Sequence, residues 1–153
     1  MDELQYTLFD EVMLEHSFKW VNDPEIQSLI QGVPVTRQEQ REWFEKLPTR
    51  NNFIIWGIRC KEIPVGAFGI KNISGDVGEY WGYIGDKAYW GMGIGSWMMK
   101  TVIMLAREKK LKKLYLKVLR NNHRAVNLYL KWGFDIKKNE FNDELIIMEK
   151  KIQ

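Results

Sequence analysis

The sequence predicts an α/β (α+β) fold: a mixed, mostly antiparallel central sheet of about seven strands with about four helices packed on it. Three observations lead there. Between Phe53 and Ile84, three runs rich in β-branched and aromatic residues are joined by short polar segments, the pattern of an antiparallel meander. From Ile94 the apolar residues change to helical spacing. After that, strand-like and helix-like segments alternate, so helices must pack against a sheet.

Taken in order, Tyr6 to Phe9 reads as a short strand. His16 to Ile30 carries apolar residues at helical spacing, interrupted by Asn22-Asp23-Pro24. Proline suits the first turn of a helix and not its interior, so two short helices with a break at Asn22 are expected. Thr36-Arg37-Gln38-Glu39 has the form of a capping box and opens an amphipathic helix over Arg37 to Leu47, ended by Pro48. Phe53 to Arg59, Ile63 to Ile70 and Glu79 to Ile84 are the meander strands. A long helix starts at Ile94 and should run about 22 Å for fifteen residues. Leu114, Leu116 and Val118 alternate with Tyr115 and Lys117 in a strand. Ala125 to Trp132 is helical again, with Gly133 suited to the position just past its end. Phe134 to Lys138 and Glu144 to Lys150 close the sheet.

The length of 153 residues fits one domain over 1–153. Hydrophobic residues at 45% and charged residues at 28% exclude a disordered chain. A net charge of +3 does not predict a nucleic-acid partner. The single cysteine, Cys60, excludes an intrachain disulfide, and no Cys/His cluster predicts a metal. The start, Met1-Asp2-Glu3, lacks the pattern of an export signal, and no apolar run approaches the ~20 residues of a membrane-spanning helix. A cytoplasmic protein with no membrane partner is expected.

The most informative stretch is Trp90-Gly91-Met92-Gly93-Ile94-Gly95-Ser96, between a strand and a helix. Glycines there let backbone N–H groups approach a ligand. The helix start adds free donors and partial positive charge, which suits a phosphate or pyrophosphate. A P-loop would need Lys after the last glycine, and the Rossmann fingerprint would need Gly or Ala at Ser96 and a place in the first βαβ unit. The turn instead resembles the acetyl-coenzyme A loop of the GCN5-related N-acetyltransferase (GNAT) family, Gln/Arg-x-x-Gly-x-Gly/Ala. It departs only at the first position, where Trp90 cannot give a charged contact to phosphate. Downstream, Asn122-His123-Arg124-Ala125-Val126-Asn127-Leu128-Tyr129-Leu130-Lys131-Trp132-Gly133-Phe134 is similar to the family's Asn-x-x-Ala-x-x-Leu-Tyr-x-x-x-Gly-Phe segment. Trp20 to Glu25 and Glu79 to Asp86 look like the branch with ribosomal-protein N-terminal, spermidine and nucleotide-amino-sugar acetyltransferases.

The resemblance implies a GNAT fold and direct transfer of acetyl from acetyl-coenzyme A, as co-substrate and without a metal, to a primary amine. The candidate base is Glu79, which strand alternation places on one face with Trp81 and Tyr83; a solvated strand-end Glu is the alternative. Tyr129 is the candidate acid for the leaving thiolate by family analogy, or else a core aromatic. Backbone N–H groups near Ile84 and Gly85 would hold the acetyl carbonyl and the pantetheine arm. Those of Gly91, Met92, Gly93, Ile94, Gly95 and Ser96 would hold the pyrophosphate, with Asn122 a further coenzyme contact. Trp20, Trp43, Trp81 and Tyr83 are candidate acceptor walls, since rings suit stacking on a sugar or nucleobase. The basic run Arg107 to Lys117 reads as a solvated helix end or an anion-attracting patch. A nucleotide-linked amino sugar is the first acceptor expected. A protein N-terminus follows, then a polyamine, for which no acidic cluster stands out. A non-catalytic acyl-coenzyme A-binding module is the alternative of another class. The family resemblance also implies a possible homodimer.

Overall fold

Four of the α-helices among the described residues begin where a side chain can replace a missing intrahelical acceptor. In this computed structural model, which describes residues 3–137 and 144–153, the Met13 N–H donates to Asp10 Oδ1 at 2.9 Å and opens α1 (Glu11–Val21). Asp23 caps α2 (Pro24–Ile30), whose first residue is the expected proline. Asn22 holds the break between them: its Nδ2 donates to the Phe18 carbonyl at 2.8 Å and its Oδ1 accepts from the Val35 N–H at 2.9 Å. The capping box is present at α3 (Arg37–Lys46), with Glu39 N–H to Thr36 Oγ1 at 3.1 Å and Thr36 N–H to Glu39 Oε1 at 2.9 Å. The later helices are α4 (Ile94–Glu108) and α5 (His123–Lys131). Five α-helices therefore stand among the described residues, one more than the overall figure of about four and the same as the runs read one by one, with the expected break at Asn22 present.

At the end of α4, Leu111 N–H donates to the Ala106 carbonyl and Lys110 N–H to the Arg107 carbonyl, both at 2.9 Å, closing a Schellman motif. Lys110 takes the left-handed position, φ 61°, that glycine usually fills. Lys109 and Lys110 follow the last residue of this helix, where cations are favourable, whereas Lys113 and Lys117 lie in the next strand, Lys113–Leu119.

The strands are β1 (Leu4–Leu8), β2 (Ile54–Cys60), β3 (Ile63–Ser74), β4 (Val77–Ile84), β5 (Lys113–Leu119), β6 (Asp135–Lys137) and β7 (Leu145–Lys151). They form a seven-stranded sheet in the order β1-β2-β3-β4-β5-β7-β6. β1 and β2 are antiparallel, as are β5 with β7 and β6 with β7, while β4 and β5 run parallel. The parallel register runs from Val77↔Lys113 to Glu79↔Tyr115. β3 extends to Ser74, four residues past the expected end, and returns through Gly75-Asp76. Lys138, the expected end of the sixth strand, lies outside the described residues.

The chain divides into two compact units, Met1–Gly69 with Gly82–Ile94 and Ile70–Trp81 with Gly95–Gln153. The first has Met13, Ile58, Val65, Ala67 and Phe68 fully buried. The second buries Ile70, Met99, Val102, Leu114 and Met148 as completely. In β5 the burial alternates as the sequence predicts, with Leu114, Leu116 and Val118 inside.

The two-residue link between β2 and β3 places Lys61 at φ 50° and Glu62 at φ 70°. Two left-handed residues in a row define the turn that favours Asn-Gly. Replacing Lys61-Glu62 by Asn-Gly is expected to stabilise the protein by about 1 kcal/mol, raising Tm by roughly 2–4 °C in a thermal melt. The exposed Lys61–Glu3 ion pair lost at 3.3 Å offsets little of that.

Candidate functional site

The glycine turn grows out of the end of β4 in the first unit. The N–H groups of Gly85 and Asp86 both donate to the Val65 carbonyl, at 2.8 and 3.1 Å. The Gly85 N–H expected to meet an acetyl carbonyl is thus already engaged within the protein. Gly85 is required for another reason: a Cβ there would lie 2.0 Å from the Trp20 ring. Asp86 then caps a short 3-10 helix, Lys87–Tyr89, by accepting from the Ala88 N–H at 3.0 Å. Trp90 follows, and its indole N–H donates to the Ile84 carbonyl at 2.8 Å.

Beyond Trp90 the chain turns through Gly91 at φ 77° and Gly93 at φ 84°, values that side chains other than glycine rarely adopt. Gly91, Met92 and Gly93 are exposed, and a Cβ on Gly93 would meet nothing within 4 Å. Open space therefore lies over the turn, as a phosphate would need. Ile94 is buried and starts α4, whose first-turn N–H groups have no acceptor within the helix. Gly95 serves packing: a Cβ on it would be 3.0 Å from Leu128 of α5.

The candidate acid and base lie in the second unit. Asn122 caps α5, its Oδ1 accepting from the Ala125 N–H at 3.3 Å, which leaves its side-chain amide N–H free of that task. Tyr129 lies two turns on, its ring 6.3 Å from Tyr80 and 6.0 Å from Phe134. Burial pushes its hydroxyl up to about 12. The hydroxyl therefore stays protonated at neutral pH and can donate.

Glu79 is 4% exposed, so the solvated alternative does not describe it. Its Oε1 accepts from Asn72 Nδ2 at 2.9 Å, and Lys71 Nζ stands 4.0 Å from its Oε2. Asn72 reaches it from a left-handed conformation, φ 51°, which Asn adopts more readily than most residues. Tyr115 is its partner across the parallel ladder and hydrogen-bonds with both Glu79 and Asn72. Partial burial, with the charge of Glu79 beside it, raises the Tyr115 pKa. Asn72, Lys71 and Tyr115 were not singled out from the sequence, because only the register of three strands brings them to Glu79.

Successive residues of a strand face opposite ways, so Glu79 and Tyr80 point to different sides of β4. Tyr129 meets Tyr80. The candidate base and acid therefore stand on opposite faces of one strand.

The proposed acceptor walls fare differently from one another. Trp20 is buried, packed on Gly85 and 6.2 Å from Tyr83, so its ring supports the strand end. Tyr83 is half-buried, and desolvation pushes its hydroxyl pKa up. Trp43 is half-buried, edge-on to Phe9 and Phe53. Trp81 is half-buried in β4. Among the described residues no group of three or more His, Cys, Asp or Glu side chains could hold a metal ion, and no helix is long and apolar enough to cross a membrane.

Residues 14–134 match the Acetyltransferase (GNAT) family. This chain belongs to that family. As a GNAT protein it is similar to a probable spermine N(1)-acetyltransferase of Bacillus subtilis subsp. natto, 38% identical over 66 residues, which are 42% of this chain and 43% of that one. The match thus spans less than half the length of that curated relative. Among solved structures, a domain from Methanocaldococcus jannaschii superposes with a TM-score of 0.82 at 25% identity, over 97% of each chain. Spermidine N-acetyltransferase from Vibrio cholerae, in complex with CoA and spermine, gives 0.90 at 18% identity, over 99% of this chain and 97% of that one. Campylobacter jejuni N-acetyltransferase PseH in complex with acetyl coenzyme A gives 0.76 at 21% identity, over 98% and 99%. The last two likenesses are of fold.

Proposed function

We propose that this GNAT protein transfers acetyl directly from acetyl-coenzyme A to a primary amine, and that the amine is a polyamine. The observation that carries the coenzyme reading is the exposed turn at Gly91 and Gly93, with open space over Gly93, feeding the N-terminus of α4. The polyamine reading draws on the spermine acetyltransferase relative. The nucleotide-linked amino sugar is the second reading and draws on the half-buried Trp43 and Trp81. The burial of Trp20 removes one of the rings it would stack on.

An alkylamine of pKa near ~10.4 is about one part in 10³ neutral at pH 7, which adds roughly 4–5 kcal/mol to the barrier for attack. Glu79 relieves that cost by taking the proton, handed on by a water or by the Tyr115 hydroxyl that hydrogen-bonds to it. Tyr129 serves a different proton. Its hydroxyl, at about 12, lies far above the ~8.5 of a thiol, so it donates a hydrogen bond to the departing sulfur and keeps its own proton. Tyr129→Phe is expected to lower kcat by about 10- to 100-fold with coenzyme affinity little changed. The wild-type rate should not fall from about pH 8 to about pH 10 through ionisation of this hydroxyl.

The deciding experiment is a mass-spectrometric turnover screen with acetyl-coenzyme A against spermine, spermidine, peptides, amino sugars and nucleotide-amino sugars. Acetylated spermine or spermidine as the preferred product supports the reading. Preference for a nucleotide-amino sugar or a peptide replaces the acceptor and keeps the chemistry. Coenzyme binding without any product makes the protein an acyl-coenzyme A-binding module.

A further inference from the structure

Trp90 stands where the family's acetyl-coenzyme A loop has Gln or Arg, and it can offer a phosphate no charge. Its side chain turns back into the protein instead. The indole N–H donates to the Ile84 carbonyl at 2.8 Å, joining the start of the glycine turn to the end of β4. The six residues from Gly85 to Trp90 become a closed loop. Its near end is held by the two N–H bonds to Val65 and its middle by the Asp86 cap.

The loop is also held from the side. Lys87 Nζ lies 5.9 Å from the Trp90 ring centroid and pairs with Asp23 Oδ2 and Glu25 Oε1, both at 2.9 Å. Asp23 is itself the cap of α2. A line of contacts thus runs from α2 through Lys87 to Trp90 and on to Ile84. Trp90 is half-buried, and the next residue, Gly91, begins the left-handed backbone of the turn.

We propose that Trp90 is a positioning residue for the coenzyme: its indole N–H, fixed on the Ile84 carbonyl, sets where the backbone from Gly91 to Ile94 presents its donors. This rests on the coenzyme-binding reading above. A ligand that meets donors already in place binds with less ordering cost than one that must order the segment itself. The tie supplies geometry where the family's usual residue would supply charge. Loss of one neutral hydrogen bond should weaken coenzyme binding by about 3- to 10-fold. The loss should be the same at low and high salt, because no charge is removed.

The test is calorimetry of acetyl-coenzyme A with the wild type, Trp90→Phe and a matched control, Trp56→Phe, at two salt concentrations. Amide hydrogen exchange over 91–94 is followed in parallel. Trp90→Phe should bind about 3- to 10-fold more weakly at both salts, with faster exchange over 91–94, while Trp56→Phe binds like the wild type. Should Trp90→Phe fail to fold, replacing Trp90 by benzothienylalanine keeps the shape and removes only the N–H, and the same weakening is expected. Wild-type affinity in the variant that lacks the N–H overturns the proposal. So does an equal loss in Trp56→Phe, or a loss that vanishes at high salt. If the wild type itself takes up no acetyl-coenzyme A, the functional reading falls and takes this one with it.

Discussion

Glu79→Gln should lower kcat/KM for the amine by about 10²- to 10⁴-fold at neutral pH, the range expected for loss of a general base. Coenzyme affinity should stay unchanged. The deficit should shrink as pH rises, because the neutral fraction of a free alkylamine grows tenfold per pH unit below its pKa of ~10.4 and replaces what the carboxylate did. A pH–rate profile for both proteins reads this directly, with the variant steeper than the wild type between about pH 7 and about pH 9. The fold should survive. The substitution removes a charge that is only 4% exposed, Asn72 can turn its amide to meet the new one, and Lys71 is well enough exposed to be solvated alone. Activity equal to the wild type at pH 7 would exclude Glu79 as the base.

Gly85→Ala is expected to destabilise the protein by about 3 kcal/mol and lower Tm by roughly 6–12 °C. The added methyl would sit 2.0 Å from Cδ2 and 2.3 Å from Cγ of the buried Trp20 ring, so the ring must leave its place. The strand end cannot move instead, because the N–H groups of Gly85 and Asp86 are both bound to Val65. Trp20→Leu alone should cost stability, but less in the Gly85→Ala background than on its own. Thermal melts of the two single variants and the double variant make the cycle. Strict additivity would show that the glycine is not there to admit the ring.

Much of the architecture was legible because it follows from local rules. The Thr36/Glu39 box, Pro24 after a capping Asp, Gly133 at φ 92° past α5 and the alternation of Leu114, Leu116 and Val118 depend on neighbours a few residues away. The glycines at 91 and 93 were legible for the same reason, since their dihedrals are a property of the turn itself. Gly85 and Gly95 were not. Each is small for the sake of a distant side chain, Trp20 in one case and Leu128 in the other. Trp20 is buried on Gly85 and is not the ligand wall the sequence suggests, because a tryptophan in a sequence carries no mark of whether its ring meets solvent or a glycine.

By itself, then, the sequence determined the order of elements, the strand-to-helix glycine turn and the motifs that place the chain in its family, all of them short-range features of backbone and spacing. The tertiary structure alone decided that Glu79 is a buried, hydrogen-bonded carboxylate, that Tyr129 stands on the other face of β4, and that Trp90 is turned inward to Ile84. Those are matters of strand register, side-chain direction and burial. They arise only when residues far apart in the chain compete for the same space and the same hydrogen-bond partners.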